Sequence, residues 1–432
     1  MGLGLLGRGV GDVAFLAECG ADVLVTDLKT EAELAGSLLQ LKEHNITYVF
    51  GEHRREDFES RDLILVAAGV PLDSPYLEHA RAKGVHYTQS AALFSKLSGV
   101  PLIGVTGTRG KSTVTHMIHH VLTRATEGAS VLLGGNVRGV SNLQLLKEAE
   151  EGSLAVFELD SWQLQGFGWE KISPQVAVFT TFMPDHLNYY KGDEDAYFAD
   201  KANIFLYQED HGVLVTTPAL LERIEKFAAS KGLTLQQEIA LADSSTLPAD
   251  YELLVPGEHN RLNAALAHKA LLATGLSDEE VLVHLNTFPG LPGRLEFLGE
   301  YSGVKIYNGN NATTPAATLA ALQALGKENK KNLVLIMGGA DKAIDMNELA
   351  VAIPQYAKHV TLLPGTGTDR VKSMIKGTEV SSVMDALQDA YAHTEEGDSI
   401  VFSPAFASFG LFKNEYDRND QFVEAVKKYA YA

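Results

Sequence analysis

Seven consecutive residues carry the clearest chemical signal in the chain: Gly107-Thr108-Arg109-Gly110-Lys111-Ser112-Thr113, placed after an apolar run that ends at Thr106. Glycines let backbone N–H groups close around phosphate oxygens, and the start of a helix favours an anion. Lys111 would reach the terminal phosphates, and a hydroxyl at Ser112 or Thr113 can hold Mg²⁺. The segment therefore reads as a cradle for a nucleoside triphosphate. Phosphate loops of the general pattern place glycine six residues before the lysine, and here that position is Val105, so the loop is a variant. The plainer alternative is a Gly-rich turn with a solvent-facing lysine.

A nucleotide held this way needs a divalent cation, and magnesium takes hard oxygen ligands. Carboxylates at strand ends are the place to look. Glu158 ends the apolar run 154–157, and Asp185-His186 follows the run 176–181. Both positions fall just past the carboxyl edge expected of an open α/β sheet, where ligands bind. Each by itself also suits a helix cap or a solvated loop. His116, His119 and His120 follow the loop on its helix without a carboxylate in a protease-like pattern, so a surface or core role is expected for them. Trp162 and Trp169 are expected to pack.

Holding these residues requires strands that alternate with helices, and the apolar runs do alternate with helix-period segments along nearly the whole chain. The fold class is α/β, with parallel sheets. At 432 residues one core is too small, and three domains are expected: 1–97, 98–288 and 289–432. The first reads as a small nucleotide-binding-like unit with strands at 22–26 and 63–67. A strand is expected before its Gly-rich turn, yet the chain opens inside the turn, so either the start lies further upstream or the first strand is lost. The central block has strands at 100–106, 154–159 and 176–181 and helices from Lys111, at 193–207 and at 259–273. Two prolines and two glycines in Pro289-Gly290-Leu291-Pro292-Gly293 suggest a hinge. Beyond it come a hairpin across Ser302-Gly303, a helix from Thr314, and strands at 333–337, 360–363 and 399–402.

Composition narrows the partners. A net charge of −19 opposes attraction to a phosphate backbone or an anionic bilayer, so neither nucleic acid nor a membrane is expected as partner. No run approaches 18 apolar residues. One cysteine, Cys19, rules out an intramolecular disulfide and a cysteine-based zinc cluster, and fits a reducing cytoplasm. The expected partners are small molecules, and the chain is expected to act as a monomer.

Taken together with Gly134-Gly135-Asn136, Glu158-Leu159-Asp160-Ser161-Trp162-Gln163-Leu164, Asp185-His186-Leu187, Lys201, Gly257-Glu258-His259-Asn260 with Asn263, and Leu291-Pro292-Gly293-Arg294, the phosphate loop resembles the Mur ligases in order and spacing. The late segments Ser403-Pro404-Ala405-Phe406-Ala407-Ser408-Phe409 and Phe412-Lys413-Asn414 are most similar to the glutamate-adding branch of that family. The resemblance implies a Rossmann-like N-terminal domain for the UDP end of the substrate, a central P-loop ATPase, and a Rossmann-like C-terminal domain that closes and supplies the glutamate site. It implies ATP-dependent ligation of glutamate, most simply the D-isomer, to UDP-N-acetylmuramoyl-L-alanine in peptidoglycan synthesis, with ATP and Mg²⁺. The chemical logic is sound: a carboxylate is a poor electrophile until its oxygen leaves as phosphate, and the acyl phosphate must be shielded from water.

Residue roles implied by the resemblance follow the motifs. Lys111 would neutralise the transferred phosphoryl group, Ser112 and Glu158 would hold one Mg²⁺, and His186 a second together with Lys201, which is carbamylated in the family. Asn136 and Gln163 match contacts to the muramoyl-alanine part. Asn260 and Asn263 match the adenine side, and Arg294 would meet nucleotide phosphates. Lys342, Ser408 and Phe409 match the glutamate-carboxylate contacts, while Leu5, Leu6, Asp27 and Lys29 fall where the family meets the uridine diphosphate.

The chain departs from the family at several positions. Gly309 stands where an acidic residue would grip the ATP ribose, and Asn311 replaces a lysine. Loss of one charge-assisted hydrogen bond costs roughly 1.5–3 kcal/mol, so weaker ATP binding is expected, and restoring Asp at Gly309 should tighten it. Gly293 replaces a common histidine. Asp160 and Glu415 add negative charge beside anionic substrates, which Lys413 or Arg418 would have to offset. Two competing readings remain: the same ligase chemistry on another acceptor, as in the other Mur ligases or a folylpolyglutamate-type relative, and a binding protein with weakened turnover.

Overall fold

The computed structural model describes residues 1–4, 7–71, 73–126, 128–186, 189–327 and 330–430. Contacts divide the chain into two units, Met1–Ala249 with Leu262–Leu285, and Asp250–Arg261 with Asn286–Ala432.

The first unit opens with two short parallel pairs, β1 (Val23–Asp27) with β2 (Ile46–Phe50), and β3 (Ile64–Leu65) with β4 (Tyr87–Thr88). Residues 1–3 run between the pairs. Gly2 N donates to Thr26 O at 2.8 Å, the terminal amine donates to Leu65 O at 2.9 Å, and Ala67 N donates to Met1 O at 3.0 Å. These are the bonds of a very short strand, so the place of the expected first strand is partly filled by the Gly-rich start itself. Beside it, a cavity of about 610 Å³ is lined by residues 1–4, β1 and the β3 region, with Arg8, Asn142 and Gln163 among its polar walls.

The central sheet is wholly parallel. Its strands are β5 (Leu102–Thr106), β6 (Val131–Gly135), β7 (Leu154–Glu158), β8 (Val176–Phe179), β9 (Val213–Thr216) and β10 (Glu238–Leu241), in the order β10-β9-β8-β5-β7-β6. Every residue of β5, β7 and β8 except Leu154 is buried, which is what helices on both faces demand of continuous apolar runs. After β5 the chain goes to one side for β6 and β7 and to the other for β8 to β10. That makes the carboxyl end of β5 the topological switch point, where open α/β sheets form their ligand crevice. The sequence-based boundaries were generous: the strand expected from residue 100 begins at Leu102, and the helix expected over 193–207 spans Glu194–Ala202.

The N-terminal block is fastened to this sheet layer. The buried carboxylate of Asp12 accepts from Ser141 Oγ at 2.6 Å and from Leu143 N at 3.1 Å, and Gln144 Nε2 donates to Gly11 O at 3.1 Å. Burial raises the Asp12 pKa, against the pull of those hydrogen bonds. A side chain at Gly11 would stand 2.5 Å from Ser141 Cβ, so the close approach needs glycine there.

The second unit holds one sheet, β11 (Glu296–Tyr301), β12 (Val304–Asn308), β13 (Leu333–Gly338), β14 (Ala357–Leu363), β15 (Thr378–Glu379) and β16 (Ser399–Phe402), ordered β11-β12-β16-β13-β14-β15. β11 is antiparallel to β12, as the hairpin across Ser302-Gly303 requires, and the remaining pairs are parallel. Along β13, Leu333, Leu335 and Met337 enter one core and Val334 and Ile336 the other, the period of two expected of a strand buried on both faces.

Candidate active site

The phosphate loop joins β5 to the helix Lys111–Ala125. Its two glycines are sterically required. Gly107 has φ +145° and a Cβ there would lie 2.0 Å from Thr180 Oγ1; Gly110 has φ +86° and a Cβ would lie 2.5 Å from Asn263 Oδ1. The loop is braced from the end of β8, since Thr108 N donates to Thr181 O at 2.8 Å, Arg109 N to Thr181 Oγ1 at 2.9 Å, and Thr180 Oγ1 to Arg109 O at 2.6 Å. Sequence reading missed Thr180 and Thr181, because a threonine pair closing a strand carries no motif of its own.

Lys111 does not face solvent as the plainer reading supposed. Its Nζ donates to Gly107 O at 3.0 Å and to Thr108 O at 3.3 Å. Lys201 comes from the distant helix Glu194–Ala202 and donates to the same Gly107 O at 2.9 Å. Two lysine nitrogens thus meet on one carbonyl oxygen. Lys201 is only 1% exposed, and burial, reinforced by repulsion from Lys111, lowers its pKa to about 7 against the pull of Asp160, Asp185 and Asp200. Burial also lowers Lys111, opposed by Glu158 and Asp160.

Glu158 ends β7 beside Val105 of β5, so register alone sets it next to the loop. It is buried, and its Oε1 accepts from Asn136 Nδ2 at 3.2 Å. Asn136 Oδ1 in turn accepts from Arg8 Nη1 at 2.7 Å. Arg8 was not legible as a site residue, since its partner lies 128 residues away. The donor set of the Glu158 carboxylate at the end of β7 and the Ser112 hydroxyl in the first turn of the helix Lys111–Ala125, both hard oxygens, fits Mg²⁺.

His186 adopts φ +53°, its N–H bonded to Asp185 Oδ1 at 2.8 Å. Its ring lies 4.8 Å from Trp162 and 6.0 Å from Tyr197, whose own ring sits 4.9 Å from Lys201 Nζ. Trp162 therefore packs, as expected, but against a candidate site histidine. Asp160 is the N-cap of the helix Ser161–Glu170, accepting from Gln163 N at 2.8 Å while Asp160 N donates to Gln163 Oε1 at 3.3 Å. Burial raises its pKa, and Lys201, Lys111 and Arg8 offset its charge. Gln163 lines the cavity of the N-terminal block; Asp27 and Lys29 do not. The Asp27 carboxylate is instead used by Leu3 N at 2.8 Å, Gly4 N at 3.3 Å and Lys29 N at 2.9 Å, anchoring the Gly-rich turn. Leu5 and Leu6 lie outside the described residues. His116 Nδ1 bonds Ser112 O within its own helix, and His120 is buried with its pKa lowered to about 4 by desolvation, as a core role requires.

Asn260 and Asn263 are three apart on the helix Glu258–Leu272. Asn263 stands over Gly110 in the first unit, and Asn260, whose Nδ2 donates to Pro256 O at 3.0 Å, belongs to the second.

In the second unit, a two-way backbone pairing of Ala340 with Ala407, at 2.9 and 3.1 Å, draws the loops after β13 and β16 together. Those loops carry Lys342 and Ser408-Phe409. Lys342 Nζ bonds Thr313 Oγ1 at 2.9 Å, Ser408 is buried, and Phe409 is exposed. Arg294 is exposed beside a tight Leu291–Arg294 turn. Arg418 is fully buried, its charge favoured by Glu415 as expected, and it donates to Asn310 Oδ1 at 2.7 Å, Asn310 O at 2.9 Å and Phe406 O at 3.1 Å. Glu415 opens the last helix, where its charge suits the dipole. A Cβ at Gly309 would lie 2.8 Å from Phe402 O, so this loop is built around glycine and does not simply lack an acid.

Three family models match the chain: the Mur ligase MurD-like N-terminal domain over residues 1–89, the Mur ligase middle domain over 105–271, and the Mur ligase glutamate ligase domain over 293–406. A UDP-N-acetylmuramoylalanine–D-glutamate ligase of Roseiflexus sp. (strain RS-1) is 32% identical over 463 residues, covering 99% of this chain and 98% of that relative. One of the same description from Borreliella burgdorferi (strain ZS7) is 32% identical over 447 residues, covering 99% and 96%. Among solved structures, the UDP-N-acetylmuramate-alanine ligase MurC of Thermotoga maritima has the same fold at TM-score 0.54 and 20% identity, covering 99% of this chain and 98% of its own.

Proposed function

The chain belongs to the Mur ligase family, and on that premise we propose that it joins D-glutamate to UDP-N-acetylmuramoyl-L-alanine with ATP. The observation that carries the chemistry is the convergence of Lys111 and Lys201 on Gly107 O beside Glu158. In the first step a substrate carboxylate oxygen bonds to the γ-phosphorus as the bond to ADP breaks. In the second the glutamate nitrogen bonds to the acyl carbon, phosphate leaves, and the amine gives up a proton.

Within this reading the phosphate loop binds the triphosphate through its N–H groups, and Lys111 neutralises charge on the transferred phosphoryl. Ser112 and Glu158 would hold Mg²⁺, which when bound screens the phosphate oxygens. Lys201, drawn down to about 7, is half free amine near neutrality. That amine can react with CO₂, forming an N–C bond and releasing a proton, and the resulting carboxylate together with His186 would hold a second Mg²⁺. Arg8 orients Asn136, which steadies Glu158 and faces the muramoyl-alanine end. Asn263 lies along the adenine side. Arg294, Lys342, Ser408 and Phe409 serve nucleotide phosphate and glutamate in the second unit. The reaction belongs in the cytoplasm, where ATP is made available; no helix among the described residues is long and apolar enough to cross a membrane.

Mass-detected ligation with D-Glu, L-Glu, Lys and diaminopimelate tests the assignment. Amide product with D-Glu is expected. Product with Lys or diaminopimelate alone overturns the acceptor, and phosphate release that fails to rise with both substrates present favours the binding-protein reading.

A further inference from the structure

Three metal-ligating side chains meet in the second unit, at the edge of its sheet opposite the loops of Lys342 and Ser408. His359 lies early in β14, Asp389 in the helix Val383–Ala392, and His393 is that helix's C-cap. The helix runs back against the strands, so its last turn reaches the amino edge of the sheet. Asp389 and His393 are four apart and share a face.

Their geometry is tight. Asp389 Oδ2 is 2.8 Å from His359 Nε2 and accepts from Thr361 Oγ1 at 2.5 Å, while Asp389 Oδ1 is 3.7 Å from His393 Nδ1. The two imidazoles stack with centroids 3.6 Å apart and planes within 5°. One ligand atom from each residue falls within 4.8 Å of the others, and among the described residues this is the group of His, Cys, Asp and Glu found to do so. The network also has a plain structural use, clamping the helix to β14.

We propose that His359, Asp389 and His393 form a binding site for a divalent ion of the zinc class, tying the last turn of that helix to β14. Two imidazoles and one carboxylate suit zinc, nickel or copper, whereas magnesium and calcium favour oxygen alone. With zinc bonds of roughly 2.0–2.2 Å, ligand atoms on one tetrahedral ion stand about 3.4 Å apart, so the 2.8 Å His359–Asp389 pair must open slightly and the stacked His393 ring must turn before its nitrogen points at the same ion. His393 can supply that movement. Its side chain is 45% exposed and ends the helix, and it is held by a 2.8 Å bond to Asp389 O and by the stack on His359. Thr361 donates to the same Asp389 oxygen that faces His359 and so fixes the carboxylate, the kind of support that metal ligands ordinarily receive. Three protein ligands leave a position for water. Within the second unit the site lies at the sheet edge opposite the loops of Lys342 and Ser408, so it acts on stability and not on turnover.

The test uses the full chain, stripped with EDTA and saturated with Mg²⁺, then titrated with Zn²⁺ by calorimetry and with Co²⁺ by visible absorption. Wild type is expected to take up a zinc equivalent with micromolar affinity that is at least tenfold weaker in His393→Ala and in Asp389→Asn, and to gain melting temperature that His393→Ala does not gain. Ligation with Mg²⁺ should be unchanged in both variants. Equal zinc stoichiometry and affinity in wild type and His393→Ala overturns the proposal; should Asp389→Asn fail to fold, His393→Ala, altered at a half-exposed helix end, decides by itself.

Discussion

Replacing Lys201 by Met should stabilise the protein while abolishing its activity. The pKa of Lys201 falls from 10.5 to about 7 on folding, a drop of about 3.5 units. At roughly 1.36 kcal/mol per unit, burying the charged form costs up to about 5 kcal/mol. Methionine keeps the bulk and removes the charge, but Gly107 O loses one donor, a loss of about 1 kcal/mol that is limited because Lys111 still bonds it at 3.0 Å. The attraction of Asp160, Asp185 and Asp200 is already contained in that net shift. A net gain of about 1–3 kcal/mol near neutral pH follows. The sign with pH is fixed by linkage. Because the folded pKa lies below the unfolded one, the unfolded wild-type chain binds the extra proton between about 7 and 10.5, so wild-type stability climbs through that window. The advantage of the variant is therefore full below about 7 and fades as pH rises. Urea unfolding in bicarbonate-free buffer at several pH values reads this out, followed by tryptophan fluorescence, since Trp162 and Trp169 are the two tryptophans of the chain and both lie in the unit that holds Lys201. A variant less stable than wild type at low pH, or a gap that widens with pH, refutes the reasoning.

Lys111→Ala should cut turnover on the order of 10² to 10⁴-fold, because the ammonium stabilises charge that develops during phosphoryl transfer; wild-type kcat would remove the loop from the mechanism. Gly309→Asp, expected from sequence to restore ATP affinity, should instead lower stability by about 1–3 kcal/mol with no tightening of ATP, since its Cβ meets Phe402 O at 2.8 Å. Calorimetric ATP titration checks it, and tighter binding would mean the loop relaxes freely. Arg418→Met should cost the second unit about 2–4 kcal/mol, as Asn310 Oδ1, Asn310 O and Phe406 O all lose a buried donor; unchanged thermal unfolding would contradict that.

Much of the fold was readable where strands are buried on both faces. The runs ending at Thr106, Glu158 and Phe179 are continuous and apolar because helices cover both sides, and they were placed within a few residues. Short or half-exposed strands such as β2, β4 and β15 escaped notice, since their side chains alternate too weakly or too briefly to show a period. The N-terminal block shows the parallel strands its pattern suggests, but nothing in that pattern foretells that residues 1–3 bond both halves of it.

By its own letters the chain determined the phosphate loop, the strand-end acids and the order of its motifs, because these rest on local backbone demands: a turn that admits only glycine, a helix start, a carboxylate at the end of a buried run or shortly after it. Distance in sequence hid the rest. That Lys201 and Lys111 share one carbonyl, that Arg8 reaches Asn136, that Asp160 caps a helix and that Gly309 lies against Phe402 are consequences of which surfaces pack together. Burial converts those meetings into altered proton affinities and steric limits, and burial exists only once the chain has folded.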